Sequence, residues 1–197
     1  MPPKLSKRKL NSKLRPRRSG ALDFIQVSLQ SRKKSCFAQY RYGSASENEK
    51  AAVLDEFHRA GDCLDRRYFM DHDLHELWLD GQLIGLCNLH VGASVLKSGI
   101  EIDTSLQAIF LLKKFRGHGL STALIDCVFD DLAAGYTATI AEAISAQAVE
   151  IIFVLHADIE SEEGEWVFRH LRNFVEYYIE KAEAAFQMKI RLQVEAG

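Results

Sequence analysis

Residues 109–125 read IFLLKKFRGHGLSTALI. An apolar run that ends a strand meets a basic, glycine-rich turn. An amphipathic helix pattern of Leu120, Leu124, Ile125, Val128 and Leu132 starts directly after it. The first turn of a helix carries backbone N–H groups without intrahelical acceptors, and the macrodipole adds partial positive charge there. Gly117 and Gly119 allow close backbone approach to a ligand because no Cβ intrudes. Lys113, Lys114 and Arg116 add positive charge at the same end. Together these features predict a phosphate or pyrophosphate site. A dinucleotide-binding G-x-G-x-x-G fails at its third glycine, where Thr122 stands, and a P-loop fails because no Gly-Lys-Ser/Thr follows. The plainer alternative is a glycine turn that only starts a helix.

The surrounding pattern predicts a mixed α/β to α+β domain over residues 35–197. Residues 35–42 alternate as a strand. Ser46-Glu47-Asn48-Glu49 has the form of a capping box, followed by Ala52, Val53, Phe57 and Ala60 at helical spacing and a stop at Gly61. Residues 62–72 are expected to form a second short helix. Segments 74–80 and 82–91 flank Asp80-Gly81, a strong hairpin signal. Residues 101–112 read as a further strand. The Ala-rich stretch 137–148 also reads as helical. Residues 150–155, EIIFVL, read as a strand buried on both faces. An amphipathic helix over 163–186 and an alternating strand over 188–194 close the chain. Residues 20–31 are expected to add a short extra element. The predicted order of the domain is β-α-α-β-β-β-α-β-α-β around a central sheet.

Charge divides the chain. Of its 197 residues, the first 34 hold eleven Lys/Arg and one acid, Asp23, whereas residues 35–197 hold fourteen Lys/Arg and twenty-six acids. Residues 1–34 therefore read as a basic N-terminal arm. Its segment 4–18 suits contact with nucleic acid or another polyanion through phosphates. A solvated tail, a targeting peptide and a segment docking on the acidic body are the alternatives. No apolar run reaches the length of a membrane span, so no membrane association is expected. Cys36, Cys63, Cys87 and Cys127 lie far apart, which points to a reducing, cytoplasmic setting and against a disulfide scaffold. Asp71-His72-Asp73-Leu74-His75 looks metal-like, but His72 and His75 would not share a face, so no metal site is expected.

Arg116-Gly117-His118-Gly119-Leu120-Ser121, behind Ile109-x-Leu111, resembles the signature of the GCN5-related N-acetyltransferase superfamily, Gln/Arg-x-x-Gly-x-Gly/Ala. It departs at Ser121, where the family has Gly or Ala, and at Lys113, where the family often has Pro. The resemblance implies an acyltransferase using acetyl-coenzyme A as co-substrate. The pyrophosphate would sit on the backbone of Arg116, Gly117, His118, Gly119, Leu120 and Ser121. The pantetheine arm would lie along Leu111, between two parallel strands that splay apart. The acetyl group would pass directly to the amine of a small-molecule or peptide acceptor. The alternative from another class is a catalytically weak or inactive binding module of the same fold, whose arm contacts nucleic acid.

Transfer to an amine needs a base, and the leaving thiolate can use an acid. The family often places the base on the strand before the motif and an acidic Tyr on the following helix. Three candidates follow. Glu101 opens that strand, Tyr178 lies on the long helix with core packing as its plainer reading, and His156 ends the strand 150–155 where the parallel pair would separate. Asp158 is a candidate pantetheine contact, and His90 a candidate acceptor contact. Cys127 reads as core. For a homodimer, the last strand and the long helix are the surfaces that could pair with a second copy.

Overall fold

In the computed structural model, the residues described are 23–27, 36–59, 61, 65–70, 73–97, 99–148, 150–157 and 162–196. The arm segment 4–18 and Asp158 lie outside them. Seven strands form one sheet whose spatial order equals chain order: β1 (Asp23–Val27), β2 (Cys36–Tyr42), β3 (His75–Leu79), β4 (Gln82–Val95), β5 (Gly99–Leu111), β6 (Glu150–Ala157) and β7 (Ile190–Ala196). Pairs from β1 to β5 are antiparallel, and β5–β6 and β6–β7 are parallel. This is the mixed sheet flanked by helices that the sequence predicts. Residues 23–27, within the segment expected to be an arm, join its edge.

Helix α1 (Glu47–Arg59) starts at the predicted capping box. The Glu49 N–H donates to Ser46 Oγ at 3.3 Å, and the Ser46 N–H donates to Glu49 Oε2 at 2.8 Å. The loop before it is held by Glu76, a buried carboxylate that accepts from the N–H groups of Ser44 (2.8 Å) and Ala45 (2.7 Å) and from Trp78 Nε1 (2.8 Å). Asp80 and Gly81 both take positive φ, 50° and 79°, as a type I′ turn requires.

The long crossover helices α2 (Leu120–Ser145) and α3 (Glu162–Phe186) cover one face of the parallel strands. Ile100, Ile102, Thr104 and Leu106 of β5 point to that face, in register with Ile151, Phe153, Leu155 and Ala157 of β6. Tyr136 of α2 meets Phe153 edge-on, and its hydroxyl lies 2.7 Å from Thr104 Oγ1. Helix α1 packs on the opposite face, where Phe57 meets Phe110 with ring centroids 4.9 Å apart.

Several expectations are corrected. The described part of 62–72 holds only a 3-10 turn, Arg66–Tyr68, capped by Asp65. The helical patterns from 120 and over 137–148 form one continuous helix, α2, which runs on through Gly135. Ala52 is exposed, and Leu54 takes its place in the core. Strand β6 is not fully buried on both faces: on its second face Val154 is buried, but Glu150, Ile152 and His156 are only half-buried. β4 and β5 are longer than expected, joined by a second hairpin in which the Leu96 N–H bonds Gly99 O at 2.9 Å.

Gly99 sits where β5 enters the parallel pair. A Cβ there would fall 2.1 Å from Glu150 O, a backbone atom that cannot yield without moving β6. Gly99→Ala is expected to lower stability by about 2 kcal/mol or more in urea unfolding. Gly135→Ala, inside α2 where an added Cβ meets nothing within 4 Å, is expected instead to raise stability by about 0.5–1 kcal/mol.

Candidate functional site: a fork between parallel strands

Parallel pairing of β5 with β6 ends at Leu106–Ala157, yet β5 runs on to Leu111. Among the described residues, 107–111 is paired on one side only, to β4, giving about 17 Å of open edge. The register of β4 with β5 passes from Leu89–Leu106 to Asn88–Ala108, leaving Gln107 as an extra, bulged residue at the point of divergence. The Leu112 N–H bonds Ile84 O at 2.9 Å on the β4 side. Alternate residues present their backbone groups on opposite edges, so Leu111 and Ile109 turn theirs to the open side.

The open edge leads into the glycine turn. After a 3-10 turn at Lys113–Phe115, Gly117 and Gly119 take φ of 77° and 74°, and α2 begins at Leu120. No side chain caps α2, and its first intrahelical bond at this end is Ala123 N–H to Gly119 O. The preceding N–H groups therefore have no intrahelical acceptor. A Cβ at Gly117 or Gly119 would meet nothing within 4 Å, so both open on free space. Arg116 does not reach out toward a ligand. Its Nε donates to Leu111 O at 2.9 Å, and its guanidinium lies 5.6 Å over Phe57. Lys114 pairs with Glu56 of α1 at 2.7 Å. The turn is thus braced from both ends, and its exposed Lys113 and the helix N-terminus supply positive potential.

α2 is fastened to the sheet by a buried polar chain. Tyr40 O–H donates to Asp131 Oδ2 of α2, and the Tyr40 hydroxyl oxygen lies 2.6 Å from His75 Nδ1. With the hydroxyl proton on Asp131, His75 donates from Nδ1. Burial pushes the His75 imidazole down to about 4 and, together with Asp131, drives the Tyr40 hydroxyl well above its ordinary range. Burial also pushes the Cys87 thiol up to about 12, as befits a core cysteine.

The fork joins Leu111 to the 116–121 turn, and His156 stands at its other end, in register with Ser105, one residue before the last parallel pair and about 20 Å from Leu111 along β5. His156 lies on the face away from α2 and α3, with Nε2 3.3 Å from Asp103 Oδ1 and Nδ1 3.1 Å from Glu195 Oε2. Ser105, its register partner, accepts from Gln107 Nε2 at 2.5 Å. Two predicted residues are not brought there. Glu101 lies about 33 Å from Leu111 along β5, beside Ser94 of the hairpin, because a strand that long separates its ends. Tyr178 sits in the aromatic packing between α2 and α3, its hydroxyl 2.8 Å from Thr137 Oγ1, about 26 Å down α2 from the turn. Sequence reasoning missed the carboxylates around His156. The alternation of EIDTS and IRLQVE carries the signal, but only the strand register joins them. No group of three or more His, Cys, Asp or Glu among the described residues is arranged to hold a metal ion, and no described helix is long and apolar enough to cross a membrane.

No protein-family model and no curated protein matches the chain. Among solved structures it is similar to a ribosomal-protein-alanine N-acetyltransferase from Brucella melitensis biovar Abortus 2308, at 16% identity and TM-score 0.44, covering 68% of this chain and 90% of that one. It is also similar to a predicted acetyltransferase with acetyl-CoA from Clostridium acetobutylicum, at 15% identity and TM-score 0.37, covering 68% and 88%. An aminoglycoside N-acetyltransferase in complex with CoA follows at 15% identity and TM-score 0.37, covering 83% and 95%. All three bear the activity of the family that the sequence resembles. At such identities and TM-scores, the sheet order and the fork, not the superpositions, carry the functional reading.

The buried His75 gives a pH test of the α2 anchor. Its folded-state value, about 4, lies below the ordinary 6.5 of the unfolded chain. The unfolded state therefore binds the extra proton between those values, and stability falls as pH falls from 6.5 toward 4. About 3 kcal/mol is the expected upper bound of this loss. Urea unfolding across that window should show a steeper loss in the parent than in His75→Leu.

Proposed function

We propose that the protein is an acetyl-coenzyme A-dependent N-acetyltransferase acting on an amine acceptor. The observation that supports this most is the one-sided edge of β5 from 107 to 111, running directly into an uncapped helix N-terminus. An extended, amide-bearing arm would complete the missing strand pairing through the backbone of Ile109 and Leu111. The diphosphate that follows would meet the N–H groups of residues 117–121. The glycines fit such a group, since their Cα positions face open space. Bound there, acetyl-coenzyme A supplies an activated thioester carbonyl.

The chain's own residues then have three tasks. The Leu111 edge fixes the arm in register, and the turn holds its charged end. The braces Arg116–Leu111 and Lys114–Glu56 keep the two at a constant separation. His156, at the fork on the uncovered face, handles the proton that the acceptor ammonium must lose before its nitrogen attacks. Its place beside Ser105 sets it against the end of the parallel pair, where an acceptor would enter from the side opposite α2 and α3. The twenty-six acids of residues 35–197 favour a cationic acceptor.

Ser121→Glu separates binding from folding. A carboxylate in the first turn of α2 favours the helix by about 0.3–1 kcal/mol but repels a diphosphate. Acetyl-coenzyme A at 100 times its dissociation constant stabilises by about 2.7 kcal/mol. The parent should therefore gain roughly 5 °C or more in thermal midpoint, and Ser121→Glu should gain nothing while melting no lower than the parent. No shift in the parent would count against the reading.

A further inference from the structure

β7 ends the sheet, and among the described residues only β6 pairs with it. Its outer side therefore offers backbone N–H and C=O groups to any strand that meets it. The Ile190 N–H is an exception, since it donates to Glu183 Oε1 of α3 at 2.8 Å. Sheet edges are commonly blunted by proline, by bulges or by charges that repel a second strand. β7 holds no proline or glycine, and its register with β6 runs from Ile190 to Ala196 without a shift. Its side chains alternate. Arg191, Gln193 and Glu195 point to one face. Leu192 and Val194 point to the other, where Val194 keeps 38% of its surface exposed.

The order of these residues is self-complementary. An antiparallel copy centred on Gln193 sets Arg191 opposite Glu195 of the second copy, and Glu195 opposite its Arg191. Leu192 meets Val194 twice in the same register, and Gln193 meets Gln193. All seven residues of the strand are used, and no like charges face each other. Within one chain, Arg191 is already bonded to Glu150, and Glu195 Oε2 lies 3.1 Å from His156 Nδ1. Across the seam, Glu195 of one copy would lie between its own His156 and Arg191 of the other. The opposite edge of the sheet lacks this pattern. β1 has a single charged residue, Asp23, which self-pairing centred on Ile25 would set against Val27.

We propose that β7 is a homodimer interface, in which two copies pair their last strands antiparallel about a two-fold axis at Gln193. The seven strands of each copy then form one continuous sheet, and the exposed edge is closed by an identical surface. The two-fold keeps both pairs of crossover helices on the same side of that sheet. Leu192 and Val194 are covered there, while the two Arg191–Glu195 pairs lie on the other side. The inference goes beyond the function proposed above and does not depend on it.

The test is sedimentation equilibrium of the full chain over a range of micromolar concentrations. The parent is expected to approach twice its chain mass of 22.3 kDa. Arg191→Glu and Glu195→Arg each set like charges opposite one another at both ends of the pairing. Each is expected to weaken association by about tenfold or more. Mixed in equal amounts, the two variants are expected to recover the dimer, because every facing pair then joins opposite charges again. Changes inside either chain, at Glu150 or His156, persist in the mixture and cannot produce that recovery. A parent that stays monomeric overturns the proposal, and protection of its β7 amides from hydrogen exchange would then assign the edge to another segment of the same chain. A dimer indifferent to both reversals overturns it as well. So does a mixture that associates no better than its components.

Discussion

Among the described residues, β5 has a strand on one side only between Gln107 and Leu111. Backbone N–H and C=O groups are obligatory hydrogen-bonding partners, so such an edge must be met by water or by a ligand that imitates a strand. Everything near the site follows from where β6 leaves. The bulge at Gln107 marks the departure. The side chain of Arg116 bonds back to Leu111, and the glycine turn opens onto the same space. Had β6 paired to the end of β5, the turn would be a simple strand-to-helix connection with no groove leading to it.

The fork keeps its shape because each wall is fastened separately. β5 is pinned by the long antiparallel ladder with β4, and its entry is fixed by the close approach of Gly99 to Glu150. α2 is held to the sheet by the Tyr40–Asp131 bond and by Tyr136 against Phe153 and Thr104. α1 reaches the turn through Glu56 and Phe57. Burying polar groups is costly unless they are bonded to one another, as Tyr40, His75 and Asp131 are. Such a chain specifies one position for the helix where apolar packing alone would tolerate sliding. The glycine turn is thus set by residues far from it in sequence.

Local chemistry made much of this legible in the sequence. Ser46 and Glu49 cap α1, Asp80-Gly81 turns the β3–β4 hairpin, and the RGHG segment lies between strand and helix, each from interactions within a few residues. What was not legible depends on pairing across distance. Tyr178 lies on an apolar stripe that any buried helix shows, and only its packing against Tyr136 and Thr137 reveals that it belongs to the core. Glu101 is near the motif in chain order but a strand's length from it in space. The neighbours of His156 come from strands about fifty and forty residues away, and only the parallel register unites them.

Hydrogen–deuterium exchange with and without acetyl-coenzyme A tests the strand-completing edge most directly. The account predicts that the amides of Ile109 and Leu111, and those of residues 117–122, gain protection on addition of the ligand, while β1–β3 exchange as before. Protection confined to other segments, or none at the β5 edge in a protein that binds the ligand, would contradict it.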